Sequence, residues 1–254
     1  MQIRLNNTFR ASHKCAVALI VIFLYATNSH AATLINQYDF QGDFTDTLGA
    51  GDNLTPVNTS TSSFTGDAWT WTASTNPGGG LILDSSITDP TNYSLGFRMS
   101  YQQVGPSWRK IVAFKGNTTD NGLYFYDANL QFYPFGVNAA VTFQPNTFYD
   151  FIFSRSGDVM TVYIVEQNGD VTKVYEETDL GNSSVPIANG DKYQFQLFMD
   201  DLVATGEWTS GGTVQIIRVW NGALTEDEIN SGPVLPPPPT STAIPIPTMS
   251  KWGL

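Results

Sequence analysis

Three kinds of side chain in this 254-residue sequence are equipped for chemistry. The first is aromatic. Trp108 lies in the turn-rich segment Gly105-Pro-Ser-Trp-Arg109, and Tyr124, Tyr126, Phe132 and Tyr133 follow at spacings that can present rings on a sheet face. Aromatic faces stack on the CH surfaces of pyranose rings while amides and carboxylates orient the hydroxyls, so these residues are candidates for carbohydrate binding. Most rings in a chain with six Trp, 11 Tyr and 16 Phe belong in a core. Trp108, outside any alternating run, is the ring expected to meet a ligand first. The second kind is acidic: Asp43, Asp46 and Asp52 cluster early, and Asp200-Asp201 close a strand-like run. Calcium takes six to eight hard oxygens of this sort, although Asp, Gly and Asn together also make ordinary solvated turns. The third kind is glutamate. Retaining glycosidases hold two carboxylates about 5–5.5 Å apart. The six glutamates are Glu166, Glu176, Glu177, Glu207, Glu226 and Glu228. Glu226 and Glu228 belong to one helical turn, and the adjacent Glu176 and Glu177 point to opposite faces of a strand. The chain is therefore expected not to be an enzyme, with a diverged glycoside hydrolase the remotest reading.

The rare residues sharpen this vocabulary. Cys15, His13 and His30 all fall within the first 31 residues. There Arg4, Arg10 and Lys14 precede the apolar run Cys15–Ala26, and Ser29-His30-Ala31 supplies a small-x-small site. This is the pattern of a secretory signal, too short to span a bilayer, with cleavage expected after Ala31. A chain cut there keeps no Cys and no His, which excludes disulfides, Cys/His metal sites, thiol nucleophiles and imidazole bases. It keeps all 23 acids and nine bases, a net charge near −14. Such a surface repels nucleic acid and anionic lipid.

The elements that would position these residues are strands. Tyr93, Leu95, Phe97, Met99 and Tyr101 alternate with Ser94, Gly96, Arg98 and Ser100. Tyr193, Phe195, Leu197 and Met199 alternate with Gln194, Gln196 and Phe198, and Trp69 and Trp71 stand two apart. Period two with one apolar face marks half-buried antiparallel strands. Val159–Val165, Asn168-Gly169 and Val171–Tyr175 read as one hairpin. The one helical signal is Thr225-Glu-Asp-Glu228, a capping box stopped by Gly232-Pro233. Many short strands with almost no helix predict an all-β, two-sheet antiparallel sandwich over residues 32–232, with one short helix near its end.

The closing segment Thr213-Val-Gln-Ile-Ile-Arg-Val-Trp-Asn-Gly-Ala-Leu-Thr-Glu-Asp-Glu-Ile229 resembles the terminal signature of LamG-type domains. There a last strand runs through Ala-Leu into a short acidic helix. Tyr38-Asp-Phe-Gln-Gly-Asp-Phe-Thr-Asp-Thr-Leu-Gly49 is similar to that family's first strand and loop. The resemblance implies a concanavalin A-like jelly roll. It also implies a structural Ca²⁺ between the opening loop and the last strand, for which Asp43, Asp46 and Asp52 are candidates. Gln215 would be a weaker fourth ligand, standing where the family often has an acid.

Past the domain, Pro233-Val-Leu-Pro-Pro-Pro-Pro239 opens an uncharged proline-rich linker to residue 245, an extended and semi-rigid spacer. Ile246-Pro247-Thr248-Met249-Ser250-Lys251-Trp252 then resembles the IPTL-CTERM sorting signal of Gram-negative bacteria. Pro247, Thr248, Ser250 and Trp252 match; Met249 and Lys251 replace its usual Leu and Glu. In that family the motif precedes a membrane helix and a basic cluster, and an exosortase-like protease is its processing partner. The sequence ends at Leu254, before either feature. The combined expectation is a protein secreted or held at a Gram-negative envelope that binds carbohydrate or a matrix partner. The alternative is a structural or adhesive matrix component without a defined sugar.

Overall fold

The computed structural model describes residues 31–57, 62–72, 79–116, 118–138, 142–166, 168–204, 211–232 and 235. The expected leader, the proline-rich linker apart from Leu235, and the sorting-like residues Pro247, Thr248, Ser250 and Trp252 lie outside them. Sixteen strands and one helix are present among the described residues. In chain order they are β1 (Thr33–Tyr38), β2 (Thr55–Val57), β3 (Ser62–Phe64), β4 (Trp69–Trp71), β5 (Gly80–Ser85), β6 (Asn92–Tyr101), β7 (Trp108–Ala113) and β8 (Gly122–Tyr126). They continue with β9 (Asn129–Tyr133), β10 (Gly136–Asn138), β11 (Tyr149–Ser156), β12 (Val159–Val165), β13 (Val171–Thr178), β14 (Ile187–Asn189), β15 (Lys192–Leu197), β16 (Gly212–Asn221) and α1 (Glu226–Ser231). No helix among them is long and apolar enough to cross a membrane.

The strands form two eight-stranded antiparallel sheets, as the alternation predicts. One runs β13-β12-β11-β6-β16-β4-β3, with β1 also on β16; the other runs β10-β9-β8-β7-β15-β5-β2, with β14 also on β15. The long central strands explain the order. β6 pairs with β11 over eight residues, Asn92 to Met99, and β16 covers its other edge from Tyr93 to Tyr101. One face of each sheet turns inward, so Leu95, Phe97, Phe151, Phe153 and Ile217 of the first meet Phe125, Phe132, Phe195 and Leu197 of the second in one core. Rings link the layers: Trp71 stacks on Phe198 at 4.7 Å, and Tyr93 and Phe114 approach Phe195 and Phe153 at 5.3 Å each. Phe198 departs from the alternation expected for Tyr193–Met199. Its φ of 59° ends β15 at Leu197 and turns the ring into the core, fully buried.

The outer face of the first sheet is covered as well. Ile152, Tyr163, Ile216 and Trp220 form a second apolar cluster with Leu224, Ile229 and Leu235. Gly96 makes this possible, because a Cβ there would lie 2.9 Å from the Trp220 ring. The expected capping box is present: Thr225 Oγ1 accepts from Glu228 N, and Glu228 Oε2 accepts from Thr225 N. Ser94 and Ser154 anchor the approach to α1; Ser94 Oγ accepts from Leu224 N at 2.8 Å, and Ser154 Oγ donates to Leu224 O at 2.9 Å.

Candidate functional site

The outer face of the second sheet has a different composition. Across β7, β8 and β9 the register sets Trp108 opposite Tyr126 and Lys110 opposite Tyr124, then Tyr126 opposite Asn129, Tyr124 opposite Gln131 and Gly122 opposite Tyr133. Period two sends the alternate residues Leu123, Phe125, Leu130 and Phe132 into the core. Phe132 is therefore no ligand-facing ring, unlike its neighbour Tyr133. The other four aromatic candidates, Trp108, Tyr124, Tyr126 and Tyr133, come together. Trp108 lies 4.3 Å from Tyr126, 5.3 Å from Tyr124 and 6.0 Å from Tyr133 between ring centroids. Trp108 is not in a loop as the turn-rich segment suggested; it opens β7, and the loop ends just before it. Arg109 holds that loop, donating from Nη1 to Gly105 O and Ser107 O.

Exposure separates the four rings. Tyr133 is 38 % exposed, Trp108 and Tyr126 are half-buried, and Tyr124 is buried beside them. The β8–β9 turn, Asp127-Ala128, has positive φ at both residues and is tied to the neighbouring loop by Ala128 N to Val104 O at 2.6 Å. The rim of the platform is thus held at both ends.

A buried charge cluster, absent from the candidates drawn from sequence except for Asp200-Asp201, supports Tyr124. Lys110 Nζ donates to Asp201 Oδ2 at 2.7 Å with both side chains fully buried, and it sits 4.8 Å from the Tyr124 ring centroid. Gly122 leaves room for the lysine stem; a Cβ there would lie 3.3 Å from Lys110 Cε. Tyr124 OH donates to Asp120 Oδ1 at 2.7 Å, and Asp201 Oδ1 accepts from Val203 N and Ala204 N. Burial raises the Asp120 carboxyl, and burial pushes Asp200 up to about 6. Burial acts in the same direction on Asp201. The Lys110 hydrogen bond and charge, with the Ala204 and Val203 amides, outweigh it and hold that carboxyl below its usual range. Gln131 Oε1, Gln196 Oε1 and Asp200 Oδ2 are buried acceptors without a hydrogen-bond partner among the described residues. Period two from Trp108 was the available signal for Lys110. Nothing local marks Asp120 or Gln196, which arrive from another strand end and another strand.

The calcium candidates are arranged otherwise. Asp46 is buried and accepts from Asn36 Nδ2, Gln37 N, Leu48 N and Gly51 N, so its oxygens hold the opening loop together. Asp43 accepts from Thr45 N, and Asp52 pairs with Lys192. Gln215 is the half-buried residue at the bulge of β16. Among the described residues no three His, Cys, Asp or Glu side chains converge as a metal cage. These donors, committed to N–H groups and a lysine, do not fit a calcium site as they stand.

No protein-family model and no curated protein sequence matches this chain. Solved structures do. Domain 4 of the extracellular arabinanase AbnA from Geobacillus stearothermophilus, solved with arabinotriose, is similar at TM-score 0.60 and 15% identity, over 80% of this chain and 98% of that domain. A Trypanosoma rangeli sialidase mutant with trans-sialidase activity matches at TM-score 0.55 and 11% identity, over 78% of this chain and 32% of the enzyme. The botulinum neurotoxin serotype D binding domain matches at TM-score 0.50 and 10% identity, over 78% and 51%. This chain therefore spans about a third of the sialidase and half of the toxin domain. At these identities the likeness is one of fold alone, a two-sheet β-sandwich.

Proposed function

We propose that this protein is an exported, non-catalytic module that binds polysaccharide through the Trp108, Tyr126 and Tyr133 rings on the outer face of its second sheet. The carrying observation is the cluster itself: half-exposed rings centred on Trp108, with Asn129 and Gln131 on the same face. An apolar surface with a few fixed polar groups is what a sugar site requires. That arabinanase domain 4 was solved with arabinotriose supports a saccharide ligand for this sandwich. A non-catalytic role is supported by the state of the nearby carboxyls. Asp201 is locked to Lys110 and Asp120 to Tyr124, which leaves no exposed acid–base pair beside the rings among the described residues.

Export is supported by the fit of the expected cleavage product. Ala32 N lies 3.2 Å from Glu228 Oε1, so a chain cut after Ala31 would set its new ammonium on that carboxylate. A LamG-type relationship and processing of the tail by an exosortase-like protease belong to the same reading.

The test is affinity electrophoresis of the full chain through gels containing arabinan, xylan, galactan or glucan. At least one should retard the wild type, and Trp108→Ala should abolish the retardation with its melting curve intact. Equal retardation of the variant removes the platform as the site.

A further inference from the structure

Resting on the reading of the platform as a saccharide site, charge placement identifies the class of saccharide. Recognition of a uronate, sialate or sulfate needs a cation free to pair with the anion, usually an arginine or lysine. Eight of the nine bases left after residue 31 lie within the described residues, and each already has a partner. Five hold carboxylates, Lys110 among them. The other three donate to neutral oxygens. Lys115 is on Val185 O at 2.6 Å, and Arg218 is on Gln37 Oε1 in the first sheet. Arg109 is buried on the strand face opposite Trp108, against Gly105 O and Ser107 O. The ninth, Lys251, lies in the tail outside the described residues.

The charges near the rings are of the other sign. Asp120, Asp200 and Asp201 surround one lysine, and Asp127 stands exposed at the turn beside Tyr126. A second feature points the same way. Apart from the buried and paired Lys110, the polar side chains on the ring face of β7, β8 and β9 are the neutral amides Asn129 and Gln131. Amides exchange hydrogen bonds with hydroxyls and bring no positive charge to pair with a carboxylate or sulfate.

We infer that the platform selects uncharged, hydroxyl-rich glycans and rejects polysaccharides that carry carboxylate or sulfate groups. An anion brought to the rings would meet excess negative charge with no unpaired cation among the described residues to receive it. A neutral chain offers the CH faces that the rings stack on and hydroxyls for the half-buried Asn129 amide.

The experiment compares the full chain in native gels containing neutral arabinan, xylan or galactan with gels containing polygalacturonate, alginate or dextran sulfate. The expected result is retardation by at least one neutral polymer. Affinity for every anionic polymer should be at least tenfold weaker, equivalent to about 1.4 kcal/mol. Retardation by the neutral polymer should also be unchanged from low salt to about 1 M NaCl, where the screening length shrinks to about 3 Å. Tyr133→Ala, at the most exposed ring, should weaken the same retardation if Trp108→Ala proves poorly folded. Retardation by an anionic polymer that is lost in Tyr133→Ala and weakened by salt would overturn the inference while leaving the platform as the site. Retardation by none of the polymers would overturn the platform reading, and the inference with it.

Discussion

Each sheet carries a tryptophan on its outer face, and the two meet opposite fates. Trp220 is 6 % exposed, laid over Gly96 and covered by Leu224, Ile229 and Leu235. Trp108 is half-buried among Tyr124, Tyr126 and Tyr133, with no element laid over it among the described residues. The neighbours decide which outcome occurs. Around Trp220 the outward residues are Ile152, Tyr163 and Ile216, an apolar stripe that gains by removal from water and can be closed by one turn of helix. Around Trp108 they are Lys110, Asn129 and Gln131. Lys110 and Gln131 are already buried, so a helix laid there would newly bury the half-buried Asn129 amide, at a cost of about 1–3 kcal/mol if it were left unsatisfied. The first face completes the fold, and the second leaves Trp108, Tyr126 and Tyr133 partly exposed.

That contrast can be broken most severely from beneath the platform. Lys110→Met strands Asp201, Asp120 and Asp200 without their cation, and should cost about 3–5 kcal/mol in urea denaturation. Replacing both partners, Lys110→Met with Asp201→Leu, should recover much of that loss, because no lone buried charge remains. On the covered face, Trp220→Ala should cost about 3 kcal/mol by opening a cavity under α1, and leave glycan retardation intact. Trp108→Ala should do the reverse, losing retardation for about 1 kcal/mol or less. If both tryptophans behaved alike in the two assays, the distinction between the faces would be wrong.

Smaller effects sharpen the comparison. Asp200, raised to about 6 from 3.8, keeps its proton in the folded chain through a window where the unfolded chain has released it. Folding then takes up a proton, so this group's contribution to stability falls as pH rises from about 4 to about 6 and is level above that. Asp120, also raised, adds the same sign. Asp200→Asn should flatten most of the slope in a series of melting curves. Ala128→Gly, at a left-handed φ of 62° on the platform rim, should stabilise by about 1 kcal/mol in the same denaturation assay. Millimolar Ca²⁺ or EDTA should leave the melting temperature unchanged, since Asp46 already accepts four N–H groups. A rise with Ca²⁺ would show that the opening loop rearranges into a cage.

Much of this was legible from residue order. The alternation of Tyr93–Tyr101 is β6, the Asn168-Gly169 hairpin joins β12 to β13, and the Thr225–Glu228 box caps α1. Trp108, Tyr124, Tyr126 and Tyr133 were legible as candidates because ring type alone nominates them. Phe132 and Phe198 were misplaced for local reasons: one lies on the inward parity of β9, and the other follows a backbone reversal that alternation cannot foresee. The calcium candidates show the limit from the other side. Asp46 looks like a ligand in the sequence, yet its oxygens close a loop on three backbone amides and the Asn36 side chain, all within ten residues.

Composition and periodicity were enough for the vocabulary and the layers. Without Cys or His past residue 31, the chain works with acids, amides and rings, and period two sends one face of each strand inward whatever the partner. Strand order is different, because it depends on which distant segments pair. Only the antiparallel run of β7, β8 and β9 sets Trp108 against Tyr126 and Tyr133, and only the return of β15 beside β7 brings Asp201 to Lys110. Side-chain parity is a property of neighbours along the chain, readable one residue at a time. A ring cluster on one face is a property of neighbours across it, and exists once the sheet has closed.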